Sequence, residues 1–233
     1  MFLRQGNFQE ALKCYSTALQ INPDFAEAHK VQGKVFLLQG RFAEAVEKYK
    51  QVLLLQPDNP GSHNDLGVAL SLQGKSDEAV VHFKEALKLA QDSAPAHYIL
   101  DRALIGAGSI DQAVTHLKET LRIKPDWPDP MNNLAWLLIK HKKAEFYNPN
   151  QAMQLAEQAC KLTNYNRPNF LQTLAAAYAE TGGFEKAVAT AEKALKLALS
   201  SGQAKLAEKI KNSLSLYKAG KPYAEPLPKA PSN

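Results

Sequence analysis

A chain of 233 residues that is 45% apolar can bury a sizeable core, yet only 8% of it is aromatic. Ala and Leu supply most of the rest, the bias of closely packed helices. The net charge of +5 is mild, and it alternates along the chain, as in Glu44, Glu47, Lys48 and Lys50; a nucleic-acid binder would concentrate Lys and Arg in one stripe.

Residues 1–25 read as the second helix of a two-helix unit, with Ala11, Tyr15, Ala18 and Pro23 in phase with later units. The first helix of that unit is missing beyond Met1–Gln5. Leu12, Tyr15 and Leu19 are therefore expected to have an uncovered side. A chain cut from a longer protein accounts for this edge; the sharper alternative is that the edge pairs with a second copy of the chain. Residues 26–59 form the next unit. Val31, Val35 and Leu38 recur at helical spacing up to Gln39, and Gly40 stops the helix in a left-handed conformation that costs a glycine nothing. The run from Phe42 to Leu55 makes the partner helix, and Pro57 lies where it cannot continue. Units at 60–93 and 94–127 follow. Pro60, Pro95 and Pro128 stand near helix starts, where a missing N–H is harmless. The unit at 128–167 has 40 residues against 34, the excess lying mainly at 142–149. The unit at 168–201 returns to the period. Residues 202–218 read as one amphipathic capping helix (Leu206, Ile210, Leu214, Tyr217), and 219–233 as an extended tail carrying Pro222, Pro226, Pro228 and Pro231.

Several residue types hold one phase. Gly40, Gly74 and Gly108 are 34 apart, as are Ala11, Ala45, Ala79 and Ala113, and Pro23 and Pro57; Pro125 lies two periods further on, with Gln91 at the skipped step. The internal pattern is His63-x2-Leu66-Gly67-x2-Leu70, then Ala79-x3-Phe83 and Ala86. It returns as Gly33-x2-Phe36 with Ala45-x3-Tyr49, and as Leu171-x2-Leu174-Ala175-x2-Tyr178 with Ala187-x3-Ala191. Over residues 1 to about 201 the chain resembles the tetratricopeptide repeat. The resemblance implies an all-α fold, a right-handed α-α superhelix (solenoid) closed by the capping helix. It also implies a scaffold that binds a partner protein or an extended peptide in the groove lined by the first helix of each repeat.

Projected onto this sequence, that face carries Lys30 and Lys34, Asn64 and Asp65, Tyr98 and Arg102, then Asn132, Asn133 and Trp136, and last Gln172. Asn amides both donate and accept towards a peptide backbone, Trp136 offers an apolar platform, and the cations suit carboxylates. Ordinary solvated helix residues are the competing reading, strongest for Lys30 and Gln172; Trp136 has core as its alternative. Some relatives clamp a chaperone's terminal carboxylate with amides and cations across three repeats. Here Asp65, Gly61 and Ile99 occupy those places, so tight binding of such tails is not expected.

Gly33, Gly67, Ala135 and Ala175 occupy the site where paired helices approach. Asp101 occupies it in the fourth repeat, and a lone buried carboxylate is costly. A splayed repeat, exposure to solvent, or pairing with Arg102 are the expected accommodations. His29, His63 and His97 form a row that invites a metal. Equivalent sites in adjacent repeats lie ~10 Å apart, too far to share one ion, so no metal and no cofactor is expected. No phosphate loop, nucleophile elbow or zinc spacing occurs, and carboxylates are scattered, so an enzyme is not expected. Cys14 and Cys160 read as free, semi-buried thiols, in keeping with a reducing compartment.

No apolar run reaches the ~18 residues of a membrane span, and the first residues lack a signal peptide's apolar stretch. A soluble, cytoplasmic chain is expected. The alternative comes from a second resemblance. Asn132-Asn133-Leu134-Ala135-Trp136, Ala156-Glu157-Gln158-Ala159-Cys160, Thr173-Leu174-Ala175-Ala176-Ala177-Tyr178 and the ending Leu216–Tyr223 are similar to the ends of some bacterial glycosyltransferase-like membrane proteins. This resemblance implies the soluble, accessory domain of a membrane-attached protein.

Overall fold

The structure, a computed structural model, describes residues 8–142 and 144–222. Among these it contains twelve α-helices and no strand, the all-α solenoid class expected. The expected remnant at residues 1–5 and the tail beyond residue 222 lie outside the described residues. The chain divides into two units, one ending at Ile123 and one beginning at Lys124.

The first unit holds α1 (Phe8–Ile21), α2 (Ala26–Leu38), α3 (Phe42–Leu55), α4 (Pro60–Leu72), α5 (Ser76–Leu89), α6 (Ala94–Gly106) and α7 (Ile110–Ile123). Here α2 packs on α3, α4 on α5 and α6 on α7, and each pair packs on the next through α3 on α4 and α5 on α6. The second unit holds α8 (Pro128–Lys140), α9 (Pro149–Leu162), α10 (Pro168–Glu180), α11 (Phe184–Ser200) and α12 (Ala204–Lys218). Here α8 packs on α9 and α10, α10 on α11, and α12 on α11.

The glycine beat has a backbone cause. Gly40, Gly74 and Gly108 have φ of 75°, 86° and 77°. In each case the next residue's N–H reaches back to close the helix: Arg41 N to Phe36 O (2.8 Å), Lys75 N to Leu70 O (2.9 Å), Ser109 N to Leu104 O (2.8 Å). That satisfies a carbonyl the helix end would otherwise leave bare. At helix starts Asn59, Ser93 and Asn148 accept the N–H of Ser62, Ala96 and Gln151, each just before or beside a proline at the first turn, a cap worth about 1 kcal/mol.

Small residues set the helix spacing. A Cβ on Gly33 would meet the Tyr49 ring at 2.9 Å, and one on Gly67 the Phe83 ring at 2.5 Å. The longer fifth repeat splits its excess in two. The α8–α9 connection (residues 141–148) is five residues longer than the other within-pair turns, and the α9–α10 turn (163–167) is one longer. The single extra residue is absorbed where Asn164 and Tyr165 both adopt left-handed backbone, with φ of 51° and 54°. The long loop is tied down. The Tyr147 hydroxyl donates to Glu180 Oε2 at 3.0 Å, Lys142 Nζ lies 2.8 Å from Glu180 Oε1, and Asn148 N–H reaches Leu138 O at 3.0 Å.

Tyr15 and Tyr49 occupy equivalent positions one period apart. Tyr49 is 2% exposed. Tyr15, Leu12 and Leu19 on α1 are only half-buried, and Ala11 is the one buried residue of that helix. Cys160 is buried, whereas Cys14, expected to be semi-buried, is exposed. No helix among the described residues is long and apolar enough to cross a membrane.

Candidate partner-binding site

In the first unit the expected groove residues sit on α2 (Lys30, Lys34), α4 (Asn64, Asp65) and α6 (Tyr98, Arg102). The structure brings three of them into one electrostatic group. Burial pushes the Asp65 carboxyl up, and Lys30 and Lys34 pull it part of the way back. Asn64 Oδ1 is buried without a hydrogen-bond partner among the described residues. Arg102 is exposed. In the second unit Asn132, Asn133 and Trp136 lie on α8 and Gln172 on α10. Asn132 is 8% exposed and its Oδ1 is unpartnered among the described residues; Asn133, Trp136 and Gln172 are half-buried.

A concavity in the first unit lies between α4 and α6 over α5. It is a cavity of about 340 Å³ walled by Val68, Ser71 and Leu72, by Ile99, Arg102, Ala103 and Gly106, and floored by Ser76 and Phe83. Its origin is visible in the register. Ser71 stands where the second, fourth and fifth repeats carry Leu37, Ile105 and Ile139. Gly106 stands where Leu38 and Leu72 stand, and Ser76 where Phe42 and Ile110 stand. Three large residues are each replaced by a small one. The replacements converge: a Cβ on Gly106 would lie 3.1 Å from Ser76 Oγ. Of this cavity the sequence projection had found only Arg102. The departures from the repeat at 71, 76 and 106 were the available signal.

Asp101 is not turned to solvent. It is completely buried and neither carboxylate oxygen has a hydrogen-bond partner among the described residues. Burial pushes its carboxyl up to about 8, against the pull of Arg102. The room for it comes from across the pair. Leu117 stands where Tyr49 and Phe83 face Gly33 and Gly67, so a larger residue on α6 meets a smaller one on α7.

The histidine row is not a set of isolated sites. His63 Nδ1 lies 3.2 Å from His82 Nδ1, and His97 Nδ1 lies 2.9 Å from His116 Nδ1. Each ring is paired across its own repeat and not along the row. Among the described residues no group of three or more His, Cys, Asp or Glu is arranged to hold a metal.

Three sequence models of the family described as Tetratricopeptide repeat match residues 2–63, 36–103 and 168–201. Together they take in more than half of the chain. The chain belongs to the tetratricopeptide-repeat family. Among solved structures, this repeat protein is similar to Pseudomonas aeruginosa pilF, with a TM-score of 0.74 and 20% identity over 91% of this chain and 92% of that one. It is also similar to a MamA protein, at 0.65 and 21% over 76% and 94%. A third is YrrB, described as a TPR protein with an unusual peptide-binding site, at 0.66 and 15% over 85% and 97%. Identities of this size carry the fold and nothing finer. No curated protein matches the sequence.

Proposed function

We propose that this tetratricopeptide-repeat protein is a non-catalytic scaffold that binds a partner protein or an extended peptide. The cavity between α4 and α6 takes an apolar side chain of that partner, and Arg102 at its wall meets a neighbouring carboxylate. The cavity carries this reading, because three repeat positions give up packing volume at one place, and lost packing is costly unless the space is used. Lys34, Asn64, Asp65 and Tyr98 extend the surface in the first unit, and Asn132, Asn133 and Trp136 form a second contact area in the other. The peptide-binding site named for the similar YrrB structure agrees with a scaffold. The units at 26–59, 60–93, 94–127, 128–167 and 168–201, with the half unit before them, are proposed as the building plan.

The test is to pan a random peptide library on the full chain and to compare the selected peptides on Ser71→Leu, which restores the residue seen at position 37. Loss of binding by Ser71→Leu and weakening by Arg102→Ala, with helicity unchanged, is the expected result. Binding indifferent to both moves the site away from the cavity. Trp136→Ala and Asn133→Ala test the second area in the same way.

Two finer readings stand beside this one. The C-terminal segments named above are what supports the alternative, a soluble accessory domain of a membrane-bound glycosyltransferase-like protein. Apolar spans of ~20 residues in the reading frame upstream are its test, and an upstream frame without them ends it. The half-covered Leu12, Tyr15 and Leu19 favour pairing of α1 with a second copy. Light scattering should then show a dimer that Tyr15→Glu dissociates, and a monomer at high concentration refutes pairing.

A further inference from the structure

The packing around the cavity between α4 and α6 leaves a polar atom unused. Ser71 Oγ, at the cavity wall, is buried without a hydrogen-bond partner among the described residues. Arg102 and Gly106, on the α6 wall, are exposed, so the space opens to solvent there. Its volume of about 340 Å³ lies at the small end of the ~300–1,000 Å³ of ligand pockets. A row of residues leads up to it. Leu38 and Leu72 hold one phase of the repeat at the ends of α2 and α4, and they are 57% and 50% exposed. Gly106 takes the next place in that row. This edge therefore presents two projecting leucines and then a notch, at steps of one helix spacing, ~8–10 Å. A polyproline-type chain advances ~9 Å in three residues. A ligand of that kind meets successive places of the row with every third side chain.

The chain itself carries a segment with this pattern, at residues 223–233. Leu227 stands between Pro226 and Pro228, whose fixed φ suits the polyproline conformation. Ala224 and Ala230 stand three residues to either side of it. With Leu227 in the notch, a small side chain meets projecting Leu72 whichever way the segment runs. Pro226 and Pro228 bring carbonyls and no N–H, so the segment calls for donors, and the Ser71 hydroxyl is an unused one. Glu225 supplies a carboxylate for Arg102. Leu227 is five residues past Pro222, a reach of at most ~18 Å. Within the second unit α12 packs on α10, and α10 on α8. Those two steps of ~8–10 Å each take up that reach inside the second unit itself. The occupant therefore comes from a second copy.

We propose that the cavity receives Leu227 of a second copy of this chain, with Glu225 of that copy on Arg102 and the Ser71 hydroxyl donating to a carbonyl beside its prolines. This rests on the scaffold reading of the cavity given above and names its occupant. Segment and cavity are different surfaces, so the contact is heterologous. Two copies that exchange segments close into a pair, and copies that pass them on form longer chains.

The experiment follows the mass of the full chain by sedimentation velocity over a range of concentrations. The mass of the unaltered chain should rise with concentration. Ser71→Leu, which fills the cavity, and Leu227→Asp, which spoils the segment, should each remove the same part of that rise. Mixed together, the two variants should form a 1:1 complex, because one keeps its segment and the other its cavity. A labelled peptide of residues 222–233 is also titrated into the full Leu227→Asp chain by fluorescence anisotropy. Leu227→Ala in the peptide should weaken its binding about tenfold or more, the worth of one buried leucine. Arg102→Glu in the chain should weaken it too, and Glu225→Arg in the peptide should restore it. Leu227 lies outside the described helices, so its variants decide the matter even where Ser71→Leu fails to fold. An unaltered chain that stays monomeric at high concentration, a mass rise indifferent to Leu227→Asp, or variants that stay apart when mixed overturn the proposal. A peptide that does not bind, while library-selected peptides still lose binding on Ser71→Leu, overturns it and leaves the scaffold reading standing. Failure of both kinds of peptide overturns both.

Discussion

The two units solve the same packing problem in different ways. Where paired helices meet, the first unit sets nothing against an aromatic ring (Gly33 with Tyr49, Gly67 with Phe83) and then reverses the trade with Asp101 and Leu117. The second unit sets alanine against alanine in register: Ala135 with Ala156, Ala175 with Ala191, all buried. Uneven trades leave residues of unlike size and polarity at one layer. The cavity, the buried carboxyl and both histidine pairs lie in the first unit. Even trades leave a filled core: α10 alone buries Ala175, Ala176, Ala177 and Ala179. A solenoid needs only nearest-neighbour packing to stay folded, so one stretch can carry such irregularities while another supplies plain stability.

The largest effect should come from breaking the steric side of this contrast. Gly67→Ala drives a methyl against the Phe83 ring, 2.5 Å from its nearest atom, and should cost about 1–3 kcal/mol, the usual range for overpacking. Adding Phe83→Leu, which copies the fourth repeat, should return part of that loss. Both tryptophans, Trp127 and Trp136, belong to the second unit, so their fluorescence reports that unit while far-UV dichroism reports both. In urea, Gly67→Ala should shift the dichroism curve more than the fluorescence curve. Coincident shifts would show that the units unfold together.

The next effect is electrostatic. The Asp101 carboxyl is about 8 when folded and 3.8 in the free side chain. Between these values the unfolded chain has lost a proton that the folded chain keeps. First-unit stability must therefore fall as pH rises from 3.8 to about 8, approaching about 1.4 kcal/mol per pH unit at most. Asp101→Ala removes the buried acid and should stabilise by on the order of 2 kcal/mol at pH 8, flattening the slope. A variant no more stable than the parent at that pH would mean that the carboxylate finds a partner when ionised.

The glycine beat was fully legible before any coordinates, because left-handed backbone at three equivalent helix ends leaves glycine as the unstrained choice. The one-residue excess at Asn164 and Tyr165 was not, since neither residue announces a left-handed turn. The cavity was half legible. Ser71, Ser76 and Gly106 each depart from the repeat, but only the packing of α4, α5 and α6 brings the departures together. The histidine row was read along the wrong direction. His82 and His116 are also 34 apart, and each faces a row member 19 residues earlier across a helix turn, a contact that depends on how the two helices pack. Asp101 misled because its own position was weighed without Leu117 opposite.

A smaller effect opposes Asp101 on the acid side. Burial and the facing ring hold His82 and His116 below their ordinary value of 6.5. As pH falls below 6.5 the unfolded chain takes up protons that folded His82 and His116 refuse, so first-unit stability is lost down to their folded values and then levels. In this window the falling histidine contribution and the rising Asp101 contribution partly cancel. His82→Gln/His116→Gln should uncover the Asp101 slope, so that dichroism melts of the double variant rise steadily towards acid where the parent's flatten. Identical pH profiles for parent and variant would mean that His82 and His116 are not held below their ordinary value.

The smallest effect belongs to the second unit, and it measures how far the long loop departs from plain packing. Tyr147 donates to Glu180, whose side chain is 4% exposed and is also held by Lys142. Burial and this hydrogen bond push the Tyr147 hydroxyl up to about 12, so the bond survives through ordinary alkaline conditions. Tyr147→Phe keeps the ring and removes the donor, which should cost about 1 kcal/mol, the net worth of one such bond. The loss should appear in the tryptophan curve, because the loop anchors on α10 of the unit that carries Trp136. Glu180→Gln should cost more, since it also releases Lys142, whose partner is buried. If Tyr147→Phe instead leaves tryptophan unfolding unchanged, the five inserted residues ride on the second unit without supporting it. The filled alanine layers would then account for its stability unaided.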